Sequence, residues 1–534
     1  MRWNLHRFKK QSKPKFIYLV TEDIIYARVL ANIISNNLKK FPDSTHILIP
    51  QYGIYFYDNP ESSKYPKVLK KAHIFFEQVK NEYKKNRLVL NEITSFLRKQ
   101  SCQKNPNVIN TKLWLYYLAK AHIQYFCKIS SISGHSNNLE FIENFKVKNI
   151  LVGDLIADSY IRYKGVPDFE FKDAFVRKLI ITSTALHELY SQHICDSPTK
   201  GFFYGQYSTY VHHGVPLRIA FNNFWTCTTF ASSTSFFKIH THTDMSIKYG
   251  PRHTEDHILY TVNSAKKLPS RLIHKADKIL MERVAGIYDQ TMGYMSSRFH
   301  DCSTQQNQIP QDQFSSARVL MLHDFFDSVH AYNWLLYPDF WSWCIDTIEF
   351  CLSNNLPLYI KPHPNEISSS RLFSNRLRSI YKDENLVRWI DPQVKNIYIL
   401  KQKPKLLITV YGSVVAECAY CDVPVLLAGD HPALNFGLGL TAKTITEYQN
   451  ALLNPELLHF TKRRDYSILF TALHHRKTLS RQGDSLKLHF KLHGKSNNEL
   501  MTKLWSADVQ NYLDLMIHEL EIATQNHYSK NNHF

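Results

Sequence analysis

Two short runs in the second half of the chain carry side chains suited to holding charge. Lys361-Pro362-His363-Pro364-Asn365-Glu366 closes an apolar run that begins at Leu356. The two prolines fix φ on either side of His363. Lysine is a point charge suited to a phosphate, and His363 can donate to phosphate oxygens. Asn365, or the first N–H groups of a following helix, can complete an anion site. Tyr411-Gly412-Ser413 closes a second apolar run, residues 406–410. Gly412 permits close backbone approach, and Ser413 is placed to cap the next helix, whose first N–H groups would face a phosphate. Glu417, one helical turn on, shares a face with Ser413 and can accept from ribose hydroxyls. A lone K-P-H-P is as often a plain turn, and a lone capped helix is common. Two such strand ends in one domain weigh towards a single binding crevice.

Other candidates lie outside this pair. Gly153-Asp154 ends a strand-like run, with Asp158 and Arg162 one and two turns later. An aspartate there can deprotonate a hydroxyl or act as a nucleophile, whereas as a helix cap it would do neither. His212-His213-Gly214 follows another strand-like run, with Arg218 beyond it, and His213 can serve as a base or a phosphate contact. His323, Asp324 and Asp327 close the run 317–322 and are suited to sugar hydroxyls. His240, His242 and Asp244 alternate as a strand would present three ligands on one face. Three ligands so close together, without a fourth elsewhere, read as a polar edge strand, and no metal is expected.

Parallel strands with crossover helices must position these residues. Residues 16–20 form a strand, and Thr21 caps a helix with apolar positions Ile25, Val29, Leu30, Ile33 and Ile34. A strand at 46–50, a helix-rich stretch at 66–128, strands at 147–154 and 207–220 and a helix at 174–195 complete the first half. From 317 onwards the alternation is regular, with strands at 317–323, 357–361, 385–390, 405–410 and 424–428. Helices near 338–354, 366–380, 393–402 and 413–421 separate them. That pattern predicts a parallel doubly wound sheet. Residues 300–316, rich in Gln, Ser and Asp, read as a linker. The expected division is therefore 1–299 as a first Rossmann-like domain with helical insertions, 300–316 as linker, 317–490 as a second domain and 491–534 as a helical tail.

A chain of 534 residues needs more than one core, and 44% hydrophobic with 21% charged residues is globular composition. The excess of 65 Lys and Arg over 46 Asp and Glu, a net +19, favours anionic partners. No zinc-finger or RNA-recognition spacing accompanies it, so nucleic acid is not expected. Nine cysteines without pattern read as reduced thiols, including the lone Cys418-x-x-Cys421, and point to the cytoplasm. No signal peptide is expected at the basic N-terminus, and the run 406–428 is broken by Glu417, Asp422 and Pro424, so no transmembrane span is expected.

The ordered set of strand-K-P-H-P, strand-x-G-S-x-x-x-E and a following D-x-P-V-L strand resembles the donor-binding half of GT-B glycosyltransferases. It is most similar to bacterial capsule and lipopolysaccharide transferases of the Kdo and sialic acid kind. Residues 150–162 and 322–328 also look like parts of surface-polysaccharide proteins. The resemblance implies an α/β GT-B-like fold, two Rossmann-type domains facing a cleft, with a C-terminal helix. It implies that His363 and Pro364 grip the nucleotide phosphate while Ser413 and Glu417 hold phosphate and ribose; Lys361, Asn365 and Gly412 are expected beside them from the residue types alone. It further implies metal-independent transfer, without a cofactor, from a nucleotide-sugar donor, CMP-linked donors among the candidates. The acceptor would be a lipid-linked glycan at the anionic inner face of the cytoplasmic membrane. Asp154 and His213 are the expected catalytic residues, and Arg162, Arg218, His323 and Asp324 the expected substrate contacts. The alternatives are a nucleotide-sugar epimerase on the same fold and a non-catalytic polysaccharide-assembly protein. The chain lacks the H-G-T-x and S-D-x-S-S signatures of teichoic-acid polymerases, which weakens a glycerophosphate reading.

Overall fold

The computed structural model describes residues 13–21, 23–51, 87, 89–100, 106–126, 134–194, 201–230, 238–240, 261–285, 287, 314–331, 334–364, 366–457, 463–475 and 511. The apolar run Lys15–Val20 forms β1. Helix α1, Ile24–Lys40, starts at Asp23, whose Oδ1 accepts from the Tyr26 N–H at 3.0 Å. The cap therefore falls two residues after the expected Thr21, which is buried. β2 (Thr45–Pro50) pairs parallel with β1, and β3 (Asn107–Val108) with β2.

A long excursion follows before the chain returns to the sheet. It holds α2 (Thr111–Phe126), α3 (Asn138–Asn144), a two-stranded hairpin of β4 (Lys146–Val147) and β5 (Ile150–Leu151), α4 (Gly153–Lys164) and α5 (Ala174–Ile194). The expected strand 147–154 is thus a hairpin turned at Lys148, which takes a positive φ, and it lies outside the main sheet. β6 (Gly201–Gly205) re-enters beside β1, and α6 (Val211–Asn222) crosses to β7 (Thr226–Thr229), which pairs antiparallel with β8 (Lys238–His240). Residues 207–220, expected as a strand, form α6 and the turn before it. Packing overrides local preference here. A Cβ on Gly214 would lie 2.4 Å from a Leu155 methyl, so its absence lets α6 cross α4 closely.

α7 (Val262–Lys266) and α8 (Ser270–Val284) precede the second sheet. That sheet is built from β9 (Arg318–Met321), α9 (Phe340–Ser353), β10 (Leu358–Lys361), α10 (Ser368–Ile380), β11 (Val387–Trp389), α11 (Asn396–Lys401), β12 (Leu406–Thr409), α12 (Val414–Tyr420), β13 (Val425–Leu427), β14 (Leu440–Thr441), α13 (Ile445–Leu453) and α14 (Arg463–His474). The strand orders are β3-β2-β1-β6-β7-β8 and β11-β10-β9-β12-β13-β14. Each reverses direction of winding beside its first strand, the Rossmann order with its switch point at β1/β6 and at β9/β12. Two Rossmann-type domains, as expected, are thus in place.

The boundary between them differs from the expected 300–316. Leu272 and Ala276 of α8 pack on Ala472 of α14, and Ala265 and Leu280 join the core holding Val415, Cys418 and Phe470. Residues 262–284 therefore belong with the second domain. Most of the expected linker, residues 300–313, lies outside the described residues, as does the tail 491–534 apart from residue 511. The largest core is shared by both sheets. It runs from Ile17 and Phe203 through Leu155, Tyr160 and Phe169 to Phe325, Phe326 and Phe340, and on to Ile408 and Leu426. No helix among the described residues is long and apolar enough to cross a membrane.

Candidate active site

The carboxyl ends of β10 and β12 carry the expected donor residues, but the structure divides them by depth. His363, Pro364, Tyr411 and Gly412 are half-buried, and Ser413 is exposed. Lys361 and Glu417 lie beneath, each 3% exposed. Glu417 accepts from the Asn396 side-chain amide at 2.8 Å. Burial pulls the Lys361 ammonium down to about 8, while Glu417 and Asp391 act in the opposite direction. Ser413 and Glu417 therefore do not present one face to a ligand. Ser413 precedes α12 in αR conformation and makes no side-chain cap hydrogen bond. A Cβ on Gly412 would lie 2.7 Å from Thr409 Oγ1, so the close approach expected of this glycine is real and is made to its own strand. Asn365 lies outside the described residues.

Three further side chains hold these strand ends in register. His323 Nε2 accepts from the Tyr411 N–H at 2.9 Å and lies 3.2 Å from Thr409 Oγ1, while its ring stacks on Phe340. Burial, followed by His363 and His431, pushes His323 down to about 3, so it stays neutral and accepts. Asp324 is equally committed. Its Oδ1 accepts from Phe326 N at 3.0 Å and its Oδ2 from Ile367 N at 2.7 Å, at the start of α10. The helix start expected to complete an anion site thus already faces a carboxylate. His431, which the sequence reading missed, accepts from Ala433 N at 3.0 Å and also hydrogen-bonds the Tyr411 and Gly412 backbone. Its position in a D-H-P run directly after an apolar strand was the available signal.

The expected catalytic residues sit in a different environment from the one their sequence positions implied. Asp154 is 2% exposed, and both its oxygens are taken by Arg218, at 2.7 and 2.6 Å. Arg218 also donates to Leu151 O at 2.7 Å. This bidentate pair ties α4 to α6. It leaves Asp154 neither a free base nor a free nucleophile, and burial, at 1% exposure, withholds Arg218 from substrate. His213 is buried in the first turn of α6, and burial followed by His212 depresses its pKa strongly. It packs edge-on to Tyr207 with centroids 5.4 Å apart. The metal candidates His242 and Asp244 lie outside the described residues, as does the His240 side chain. Among the described residues no group of three or more His, Cys, Asp or Glu could hold a metal ion.

Asp327 remains, three residues beyond the committed Asp324. It is exposed, yet burial raises its carboxyl pKa, with Asp324 adding and Arg162 opposing. Tyr207 and Tyr210 of the first domain both feel this carboxylate, which places it at the seam between the two sheets. Both sides of that seam are on hand. Arg162 of α4 reaches Phe326 O at 3.4 Å, and Ser328 Oγ lies 3.2 Å from the Tyr210 phenol and 3.4 Å from Thr209 Oγ1. Asp158 Oδ1 accepts from both His330 N and Nδ1, at 3.0 and 2.8 Å, and Asp339 Oδ2 accepts from Phe169 N at 2.9 Å. The Tyr207 phenol is raised to about 12, by burial and then by Asp23 at the end of β1 and Asp327 beyond β9. The strand ends of the two sheets therefore face each other across one crevice.

Comparison with known proteins adds likeness but little weight. No family model matches the chain, and no curated protein does. Solved structures similar to it include a UDP-GlcNAc 2-epimerase from Neisseria meningitidis bound to UDP-GlcNAc, 12% identical, covering 87% of this chain and 99% of that one, TM-score 0.28. A glycosyltransferase from Rickettsia africae is 10% identical over 93% of this chain and 99% of its own, TM-score 0.25. An Anabaena protein in complex with UDP-glucose is 9% identical over 90% and 98%, TM-score 0.24. The strand orders and the facing strand ends define the two-domain architecture.

Proposed function

We propose that the protein is a metal-independent glycosyltransferase that moves a sugar from a nucleotide-activated donor to a bacterial surface polysaccharide, capsule or O-antigen. The observation that carries the reading is an anion-suited strand edge and an exposed carboxylate, both at the strand ends of the second domain and both turned towards the strand ends of the first. His363, Pro364, Gly412 and Ser413 line the second-domain edge, with Lys361 and Glu417 behind them, and Asp327 faces the first domain. The donor phosphates sit against His363 and Ser413, and the Lys361 charge beneath supplies a favourable field for them. Asp327 takes the proton from the acceptor hydroxyl. The lipid-linked acceptor and the anionic membrane surface fit the +19 chain.

The experiment is incubation with CMP-, UDP- and GDP-sugars, read first as a rise in melting temperature and then by NMR of the products. A donor that stabilises the protein and is consumed only when glycan acceptor is added supports transfer. Asp327 also keeps a second reading in play, because an epimerase on this fold needs a carboxylate at the sugar. Conversion of the donor to its epimer without acceptor would select that reading. Absence of stabilisation by every nucleotide would remove both.

Two binding predictions follow from the donor edge. His363→Ala should weaken nucleotide binding by roughly 1.5–3 kcal/mol, the worth of a charge-assisted hydrogen bond. Because the Lys361 ammonium titrates at about 8, nucleotide affinity should fall several-fold between pH 7 and pH 9, as the positive form is lost on raising pH. Titration calorimetry of Lys361→Met should give a flat profile over that range. A profile in this variant as steep as that of the unaltered protein would assign the titration to another group.

A further inference from the structure

We infer that the first-domain wall of the crevice is a stacking subsite for an uncharged pyranose, built from the Tyr207 and Tyr210 rings with Asp327 and Arg162 at its rim. This deepens the transferase reading and rests on it for the subsite's use, though not for its ability to bind sugar. Both tyrosines are half-buried; the Tyr210 ring lies parallel to that of His212, centroids 6.1 Å apart, and edge-on to Tyr163, so any free face is the one turned from His212. Tyr210 is also held at a cost. Its φ of 61° and ψ of 155° lie in a region that essentially only glycine populates. The surroundings enforce that conformation, because Val211 N donates to Ser159 Oγ at 2.8 Å and Gly214 N to Tyr210 O at 2.8 Å. The result aims the phenol at Ser328 Oγ, 3.2 Å away on the opposite domain. Glycine would relax this backbone, so what the tyrosine contributes here is its ring.

Tyr207 shows the complementary feature. Its ring lies against His213, whose Nδ1 is buried without a hydrogen-bond partner. Asp23 and Asp327 both act on its phenol from the two sheet edges. Both phenols are pushed up to about 12, chiefly by burial, so the rings are neutral platforms across the physiological range. An aromatic face suits the apolar C–H face of a sugar ring, while carboxylate and guanidinium at the rim take its hydroxyls.

The charge around this wall sets the class of sugar. Among the described residues, Asp23, Asp158 (hydrogen-bonded to His330), Asp324 and Asp327 act on these groups, with the exposed guanidinium of Arg162 opposing them. A chain of net charge +19 thus turns a locally negative wall towards its acceptor. Hydroxyl donors gain from that field, and a carboxylated or phosphorylated ring is repelled by it.

The test is saturation-transfer NMR and titration of the full chain with lactose as neutral probe and sialyllactose as its carboxylated counterpart. Lactose should bind at least tenfold more tightly than sialyllactose. Tyr207→Leu should weaken lactose at least tenfold. Tyr210→Gly, the substitution the backbone favours, should abolish lactose binding while leaving the melting temperature equal or higher. Nucleotide-induced stabilisation should survive in both variants. Lactose binding that is absent from the unaltered protein, indifferent to both substitutions, or no tighter than sialyllactose binding overturns the subsite. If no nucleotide stabilises the protein but lactose binds and depends on both tyrosines, the subsite stands and the transferase reading falls.

Discussion

Asp327→Asn should lower turnover by about 100-fold, the usual cost of a lost general base, and leave nucleotide-induced stabilisation unchanged. The neighbouring candidates are all committed: Asp324 to two backbone N–H groups, His323 to Tyr411 and Thr409, Asp154 to Arg218. Asp327 alone is open, and crevice walls, Asp324 and Asp158 raise its pKa against the pull of Arg162. A base works deprotonated, so kcat/KM should fall as pH drops through that raised pKa, on the alkaline side of an ordinary aspartate. The same acid limb should vanish in the asparagine variant. Full turnover in Asp327→Asn, or an acid limb that persists unshifted, would move the base elsewhere on the crevice wall.

Asp154→Ala should destabilise the fold by roughly 3–5 kcal/mol, because it strands a buried guanidinium without its counter-charge. The carboxylate is 2% exposed, and Arg218 is 1% exposed. Denaturant titration should show the midpoint drop, and a paired Asp154→Leu, Arg218→Met variant should recover most of it, since apolar replacement of both partners removes the stranded charge. Recovery of folding together with substantial activity in the double variant would establish the pair as structural. A stable Asp154→Ala protein that binds donor but is dead in turnover would instead restore the catalytic role first expected of this residue.

The second domain was far more legible than the first, for a physical reason. Its central strands β9, β10, β12 and β13 are short and buried on both faces, so 357–361, 405–410 and 424–428 are legible almost as they occur, at Leu358–Lys361, Leu406–Thr409 and Val425–Leu427. In the first domain, everything between β3 and β6 is an excursion whose order is set by packing. Residues 147–154 look like a strand because Ile150, Leu151 and Val152 are apolar, yet what they bury against is α4 and its neighbours rather than a sheet. β6 and β7 went unread, since Gly201–Gly205 begins and ends in glycine and Thr226–Thr229 is a run of polar residues around one cysteine. At the site, motif logic found the strand ends but not which side chains stay free. A sequence shows that His323 and Asp324 can donate and accept; only the fold shows that backbone amides have already claimed them. Tyr210 gave no signal, because a strained φ leaves no trace in residue type when the residue is not glycine.

The core that crosses from one sheet to the other has a consequence for how the molecule can be taken apart. Tyr160 and Phe169 on one side and Phe325, Phe326 and Phe340 on the other belong to the same continuous cluster, stitched at its rim by Asp158 with His330 and by Asp339 with Phe169. Paired domains joined by a polar surface rock open and shut on a hinge, and either half survives alone. Here a cut between the sheets would bare aromatic rings on both faces, so neither half is a portable module. Swapping the second half for that of another enzyme to change the donor would have to carry the loop 322–339 and the outer face of α4 along with it. Among the described residues, the two sheets are thus joined by packed aromatic side chains rather than by a polar seam alone.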